Sequence, residues 1–261
     1  MKLPIYQLDA FTDRVFAGNP AAVCPLPHWL PDAKLQAIAA ENNLAETAFF
    51  VPDGEGYALR WFTPTTEVDL CGHATLASAE IVFRHLRPLL NTVQFHTRWA
   101  GTLSVTRGED RLIMDFPARP PEAVKAHPAL VGALGVRPKE VLAARDYLVV
   151  LENADAVRGA TPDFAALKTI DRFAVIITAP GEGDADFVSR FFAPKQGVDE
   201  DPATGSAHST LVPYWAARLN KTVLIGQQLS ARGAVFYCEA LGERVAIAGK
   251  TVLYLEGTIT V

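Results

Sequence analysis

Residues 60–69 read RWFTPTTEVD, and residues 190–199 read RFFAPKQGVD. Arginine, phenylalanine, proline, valine and aspartate recur in register between the two segments. Each segment is followed by a glycine, Gly72 in the first half and Gly205 in the second, and an amphipathic helix is predicted after each glycine. A repeat in the same strand, loop and helix context predicts an internal duplication, and therefore two halves with similar folds.

The end of each repeat has a pattern that is typical of anion binding. A strand leads into a loop with proline, then a glycine, then a helix. The first backbone N–H groups of a helix have no partner inside it, so a helix start can bind a negatively charged group. If a pseudo-two-fold axis relates the halves, both helix starts line one cleft, where they can hold a small carboxylate during proton transfer.

Apolar periodicity predicts an α/β (α+β) fold with many strands and few helices. In the first half, strands are expected near residues 3–10, 21–26, 47–52, 57–63, 91–97, 100–106 and 111–116, with helices near 31–43 and from His73 onward. In the second half, helices are expected near 121–133 and 205–219, and strands near 139–151, 171–178, 186–193, 222–230, 233–239, 243–248 and 251–260. Pro213 lies inside the last of these helices and is expected to bend it.

The segment FPARPP at residues 116–121 follows a predicted strand and contains three prolines, which fit neither a sheet nor a helix interior. We therefore expect an N-terminal lobe at residues 1–118 and a C-terminal lobe at residues 119–261. The final strand of the second lobe is free to pack back on the first.

Composition indicates a folded protein and shows no sign of nucleic-acid binding. Of 261 residues, 49% are hydrophobic and 20% are charged, which is ordinary for a globular chain. The formal net charge is -5 and no basic block is present, so nucleic acid is not an expected partner.

Asp9 and Asp13 interrupt the region where a secretory signal would be apolar, and no apolar run reaches membrane-spanning length. We expect a cytoplasmic protein with no membrane partner.

The three cysteines, Cys24, Cys71 and Cys238, are an odd number without CxxC spacing. This pattern favours buried thiols over a disulfide framework or a zinc site.

Glu46 is the first candidate for acid/base chemistry. It begins the segment ETAFFV at residues 46–51, a predicted strand rich in aromatic and small residues. A carboxyl group in apolar surroundings can hold a proton near neutral pH and also release it, as a reversible shuttle requires. An exposed turn glutamate is the alternative.

Polar residues at the two helix starts are the other candidates. His73 can orient substrate or relay a proton, or it can be a structural cap. Asp201 can do chemistry or cap the following helix, and Ser206 can bind a carboxylate or satisfy the first turn. His208 lies further into the helix and is expected to be structural.

Four motifs together resemble the phenazine biosynthesis-like (PhzF-like) family. They are GNPAAV at 18–23, ETAFF at 46–50, FTP at 62–64 with GHA at 72–74, and DPATGSA at 201–207. They occur in order over nearly the whole chain. The last of them is the most specific.

The resemblance implies a diaminopimelate-epimerase-like fold with two pseudo-symmetric lobes, each a curved, mostly antiparallel sheet wrapped around a central helix. It implies a cofactor-independent isomerase that moves a proton between carbons of a small carboxylate-bearing substrate and acts as a homodimer without a bound metal. The implied catalytic residues are Glu46, His73 and Asp201. The expected substrate-binding residues are Gly72, Ala74, Thr204, Gly205 and Ser206.

Two other functions fit the residues. Cys71 stands where related epimerases and racemases carry one of two catalytic cysteines, so an amino-acid racemase or epimerase that uses Cys71 or Glu46 is one alternative. The second repeat has no partner cysteine, which leaves a two-thiol mechanism incomplete. A non-catalytic small-molecule binding protein is the other alternative, although it leaves Glu46 without a chemical role.

Overall fold

The computed structural model describes every residue from Met1 to Val261. The chain forms two compact units. The first contains Met1–Asp115 and Ala248–Val261, and the second contains Phe116–Ile247. None of the helices is both long and apolar enough to cross a membrane.

The first unit consists mainly of strands. Up to residue 117 the chain forms β1 (Lys2–Ala10), β2 (Asn19–Pro25), α1 (Asp32–Asn42), β3 (Glu46–Asp53), β4 (Gly56–Phe62), β5 (Glu67–Val68), α2 (Gly72–Ile81), a π-helical turn (Val82–Leu86), β6 (Thr92–Thr97), β7 (Thr102–Arg107) and β8 (Leu112–Pro117).

The second unit has more and shorter helices. It contains β9 (Glu122–Ala123), α3 (Pro128–Leu134), β10 (Glu140–Ala143), β11 (Tyr147–Val150), α4 (Ala154–Arg158), α5 (Phe164–Leu167), β12 (Val175–Pro180), β13 (Phe187–Ala193), β14 (Val198–Asp201), α6 (His208–Leu219), β15 (Val223–Gln228), β16 (Ala234–Leu241) and β17 (Arg244–Gly249). The last strand, β18 (Thr251–Thr260), pairs antiparallel with β1 in the first unit.

The two units repeat one pattern of strand pairing. In the first unit, β2 and β3 are parallel, β3 and β4 are antiparallel, and β4 and β6 are parallel. In the second unit, β11 and β12 are parallel, β12 and β13 are antiparallel, and β13 and β15 are parallel. The repeated sequence segment therefore lies in strands with matching neighbours, as a duplication predicts.

The repeated arginines make the same contacts to a glutamate and a phenylalanine in both units. Arg60 donates through Nε and Nη2 to the two carboxylate oxygens of Glu67, at 2.6 and 2.7 Å. Arg190 donates in the same way to Glu200, at 2.7 and 2.8 Å. Each guanidinium also stands 5.0 Å from the ring centre of the phenylalanine two positions further along the chain. A bidentate ion pair of low exposure thus recurs at equivalent places.

The pairing register corrects the ungapped alignment of the two segments. Val68 lies opposite Trp61, whereas Asp201 lies opposite Phe191 in the second unit. The extra residues of the second copy are taken up by a 3-10 turn at Pro194–Gln196 and a following glycine with a φ of 86°. The insertion therefore lies before the acidic residue that binds the arginine, not after it.

The central helix of the first unit is α2, which packs against β1, β2 and β3. Nine of its ten residues are buried. Two polar residues in it are satisfied locally, because the Thr75 hydroxyl donates to the Cys71 carbonyl at 2.6 Å and the Ser78 hydroxyl to the Ala74 carbonyl at 2.7 Å. Small and apolar residues dominate this helix, so it can pack closely against these strands.

The helix α6 of the second unit continues through Pro213. A proline has no N–H to donate, which leaves the carbonyl of Ser209 without its helical partner. The backbone N–H of Arg119 donates to that carbonyl at 2.7 Å, so the proline costs no buried hydrogen bond.

Most predicted elements are confirmed, two are corrected, and two short helices are additional. The helix expected near 121–133 begins only at Pro128, where Nδ1 of His127 accepts from the Ala129 N–H. The single strand expected near 139–151 is a hairpin of β10 and β11. The short helices α4 and α5 were not expected, because each has too few residues to show a periodic pattern. All three cysteines are free and buried, as predicted.

Candidate active site

Glu46 is the first residue of β3, where it pairs in parallel register with Ala21 of β2. The next five residues of the strand are buried, and the Glu46 side chain itself is 16% exposed. The carboxylate therefore lies at the edge of an apolar strand, with limited access to solvent.

His73 is the second residue of α2 and is buried. Its Nε2 lies 3.1 Å from Oε2 of Glu46, and its Nδ1 lies 3.4 Å from Sγ of Cys71, the residue that precedes the helix. The imidazole therefore stands between a carboxylate and a thiol. Two of the predicted catalytic residues, Glu46 and His73, are brought together by the folding of the first unit.

The contact between Glu46 and His73 is close but is not aligned as a hydrogen bond. The buried Oε2 of Glu46 has no hydrogen-bond partner. A buried carboxylate oxygen without a donor is unusual in proteins and is a feature of reactive sites. Oε2 is thus the atom of this cluster that is able to accept a proton.

The charges in the cluster favour a protonated histidine. Burial opposes a charge on His73, but the Cys71 sulfur and the Glu46 carboxylate raise the pKa of His73 well above its usual range. Burial, together with the charge of Glu46, raises the pKa of the Cys71 thiol to about 11. The thiol is therefore neutral at physiological pH, and Glu46 is the charge that holds a proton on His73.

The start of α2 also offers backbone donors that have no partner within the helix. Cys71 occupies the N-cap position with extended backbone and makes no side-chain cap. The N–H groups of Gly72, His73 and Ala74 fall in the first turn, where a helix provides no acceptor. The Ala74 side chain is fully buried and its backbone N–H donates to the Cys71 sulfur, so its role in substrate binding stays a prediction.

In the second unit, the predicted residues share one loop. The Thr204 hydroxyl donates to the Asp201 carboxylate, and the Thr204 N–H donates to Oε1 of Gln228 at 2.8 Å. Nε2 of Gln228 donates to the Asp201 carbonyl at 2.6 Å. Gly205 is buried and begins a 3-10 turn that leads into α6. Asp201 is thus held by its own loop, and its predicted catalytic role stays a prediction.

The predicted structural role of His208 fits its surroundings. The side chain is fully buried and stacks on Phe236 with ring centres 3.8 Å apart. Its Nδ1 lies 3.0 Å from the Thr204 carbonyl. His208 therefore contacts the loop at residues 201–206 from the protein interior and is not exposed to solvent.

The sequence interpretation missed Arg145. Its Nη2 lies 3.4 Å from Oγ of Ser206, and its guanidinium is held by Asp146 at 3.0 Å and stands 4.4 Å from the ring centre of Phe173. A fixed arginine beside a serine at a helix start is suited to binding a carboxylate. The polar pair at 145–146 inside an apolar run was the available signal, and it marks the turn between β10 and β11.

Comparisons with known proteins agree with this fold. The sequence pattern of the family described as phenazine biosynthesis-like protein, PhzC-PhzF, matches residues 8–257. A Pseudomonas aeruginosa protein named an uncharacterized isomerase is 52% identical over 259 residues, which are 99% of this chain and 99% of that protein. A crystal structure of a PhzF-family phenazine biosynthesis protein from Enterococcus faecalis aligns with a TM-score of 0.97 and 47% identity, covering 100% of both chains.

A more distant structure shows the wider fold group. The crystal structure of a hydroxyproline epimerase from Agrobacterium vitis aligns with a TM-score of 0.60 at 11% identity, covering 99% of this chain and 92% of that chain. A likeness at this identity concerns the fold alone. The predicted epimerase-like α/β fold is thus confirmed.

Proposed function

This chain belongs to the phenazine biosynthesis-like family and is an isomerase, and we propose that it moves a proton between two carbons of a small carboxylate-bearing substrate, with Glu46 as general acid and base. The observation that supports this most is the buried Oε2 of Glu46, which lies 3.1 Å from Nε2 of His73 and makes no aligned hydrogen bond. A proton-transfer isomerisation needs one group that takes a proton and gives it back, and this atom has the required freedom.

The proposed reaction has two balanced steps. First, Glu46 takes a proton from a substrate carbon, the C–H bond breaks, and its electron pair is delocalised into the substrate. Then a different carbon takes the proton from the Glu46 carboxyl group, and a new C–H bond forms. No proton or electron is gained or lost overall, so the reaction requires no redox partner, and we propose that it proceeds without a cofactor.

His73 has a positioning and electrostatic role in this proposal. A protonated imidazole 3.1 Å from Oε2 fixes the position of the carboxylate by charge attraction. The first-turn N–H groups of α2 are suited to stabilise negative charge that develops on the substrate.

We propose that the loop at residues 201–206 contributes to substrate recognition. Support comes from the fixed geometry of the loop, which Gln228 holds, and from the cation of Arg145 at Oγ of Ser206. A guanidinium and a hydroxyl are suitable partners for a substrate carboxylate. The chemistry of these side chains does not identify which carboxylate is bound.

A racemase or epimerase is the second candidate, because Sγ of Cys71 lies 3.4 Å from His73 in the same cluster. Such a reaction needs an acid and a base on opposite faces of one carbon. A thiol with a pKa of about 11 is a poor base at neutral pH, which favours the single-carboxylate mechanism. The non-catalytic alternative is set aside, since close relatives are named isomerases.

A screen in heavy water tests the proposed function. Carboxylated small molecules are incubated with the protein in D₂O, and the uptake of deuterium at carbon is followed by mass spectrometry. We expect enzyme-dependent exchange for at least one unsaturated or keto acid, even where no net product accumulates. If a broad panel shows exchange only at the α-carbon of amino acids, the racemase is the correct function instead.

A further inference from the structure

We propose that Glu46, Cys71 and His73 also form a binding site for a thiophilic divalent cation such as Zn²⁺ or Co²⁺, and that the bound ion inhibits the isomerase. The inhibition rests on the proposed function, whereas the binding does not. The three side chains each offer one ligand atom, and these atoms all lie within 4.8 Å of one another.

The distances in the cluster are close to those of a tetrahedral site. With usual Zn–S and Zn–N/O bond lengths, ligand atoms at tetrahedral angles are about 3.6 Å apart for sulfur and nitrogen and about 3.4 Å apart for nitrogen and oxygen. Here Sγ of Cys71 is 3.9 Å from Nε2 of His73, and Nε2 is 3.1 Å from Oε2 of Glu46. The separation of Sγ from the Glu46 carboxylate is at most 4.8 Å, against about 3.6 Å at tetrahedral angles, so the side chains have to move together by up to about an ångström when the ion binds.

The ligand types select the class of ion. Thiolate and imidazole favour zinc and cobalt, whereas magnesium and calcium require a shell made almost wholly of oxygen atoms. On binding, the Sγ–H bond of Cys71 breaks, an Sγ–metal bond forms, and the proton passes to solvent. The thiolate and the Glu46 carboxylate then balance the two positive charges of the ion, so the buried site carries no net charge from these groups.

Access and coordination number both allow an ion to enter. The side chains of Cys71 and His73 are almost fully buried, but the Glu46 side chain is 16% exposed, so the ion enters past the carboxylate. The cluster supplies three protein ligands, and a tetrahedral ion keeps a fourth position for water.

The consequence for the enzyme follows from which atoms the ion occupies. Oε2 of Glu46 is the atom proposed to accept the substrate proton, and a metal bond to it removes that capacity. The N–H bond at Nε2 of His73 breaks in the same way, its proton passes to solvent, and the freed nitrogen binds the ion. Zinc is therefore expected to stop proton exchange without unfolding the protein.

Cobalt spectroscopy on the whole, metal-free protein tests the site directly. We expect one equivalent of Co²⁺ to give a thiolate-to-cobalt charge-transfer band in the near ultraviolet and intense ligand-field bands in the visible region, both removed by added Zn²⁺. Cys71→Ser should lose the charge-transfer band, whereas Cys24→Ser, which alters a buried thiol elsewhere in the first unit, should keep it. Absence of the band in the wild-type protein, or its persistence in Cys71→Ser, overturns the proposal.

A second variant covers the case in which Cys71→Ser does not fold. Glu46→Gln changes a partly exposed side chain and should weaken Zn²⁺ binding in calorimetry by about 10- to 100-fold. Glu41→Gln, at an exposed position of α1, is the matched control and should bind like the wild type. Equal affinity in all three proteins contradicts the site.

These outcomes are separate from those of the proposed function, because cobalt binding is measured without substrate. If cobalt binds as described but Glu46→Gln still exchanges substrate protons, the metal site stands and the proposed function falls. If cobalt does not bind but exchange depends on Glu46, the proposed function stands and the metal site falls.

Discussion

Nε2 of His73 lies 3.1 Å from Oε2 of Glu46, although the two residues belong to different elements of the first unit. Glu46 begins β3, and His73 stands in the first turn of α2, which packs against that strand. The pair places a carboxylate next to an imidazole whose pKa is raised, and the proposed proton transfer depends on this contact.

The neighbouring thiol is expected to be dispensable. Cys71→Ser should lower substrate exchange by less than about tenfold, because a hydroxyl keeps the polar contact with His73 and the thiol is neutral at the pH of the assay. Steady-state kinetics on the folded variant gives the answer. A loss of about a thousandfold or more would make the thiol an acid/base group and favour the racemase.

His208 should make the protein sensitive to mild acid. Burial lowers the pKa of His208 to about 4, whereas an unfolded histidine has its usual value of 6.5. Between pH 6.5 and about 4, the histidine is protonated in the unfolded state but not in the folded state. The free energy of unfolding therefore falls as the pH drops through this window. The full effect corresponds to roughly 3 kcal/mol in the free energy of unfolding.

His208→Gln removes this titration, and urea unfolding at pH 7 and at about pH 4.5 measures it. The variant should lose less stability than the wild type between the two pH values, even if it is less stable at pH 7. His28→Gln, at an exposed position, is the control and should behave like the wild type. An identical pH dependence in all three proteins would show that His208 does not carry the effect.

Gln228 should stiffen the loop at residues 201–206. Gln228→Leu removes the acceptor of the buried Thr204 N–H and the donor to the Asp201 carbonyl, at a cost of about 1–3 kcal/mol for each unpaired group. Chemical denaturation should show this loss, and KM for a turned-over substrate should rise. Gln227→Leu, at the adjacent and more exposed position of β15, serves as the control. Equal stability of the two variants would contradict the role given to Gln228.

The repeated ion pairs should contribute equally to their units. Glu67→Gln and Glu200→Gln each weaken a bidentate contact to a mostly buried arginine, and each should cost on the order of 2 kcal/mol. Urea denaturation of both variants, with the exposed Glu109→Gln as control, measures this. A large loss for one and none for the other would show that the duplicated contact has diverged in its energetic role.

The repeated segment was informative because it combines a local pattern with a second copy. Arg60 and Arg190 each fall in a strand and recur with the same neighbours in sequence, so matching strands and helices could be predicted without any long-range contact. The exact register of strand pairing in the second copy could not be predicted. The insertion at Pro194–Gln196 forms a turn, and a turn absorbs extra residues without leaving a signal in the apolar pattern.

The contact between Glu46 and His73 could not be predicted from the sequence pattern. Periodicity assigns each residue to a strand or a helix, but the distance between two side chains depends on how α2 packs on β3. Arg145 was missed for a related reason, because the apolar run around it reads as one strand until pairing shows a hairpin. The late start of α3 also depends on packing, since prolines at both 120–121 and 128 suit a first helical turn.

The central claim is that Glu46 carries the proton, and Glu46→Gln tests it most directly. The amide keeps the shape of the side chain, so substrate affinity should change little, while the acid/base contribution of about 10²- to 10⁴-fold should vanish. The measurement is deuterium incorporation from heavy water into a turned-over substrate, compared between wild type, Glu46→Gln and the exposed control Glu41→Gln. We expect exchange in the wild type and the control and almost none in Glu46→Gln. Exchange at the wild-type rate in Glu46→Gln would contradict the central claim.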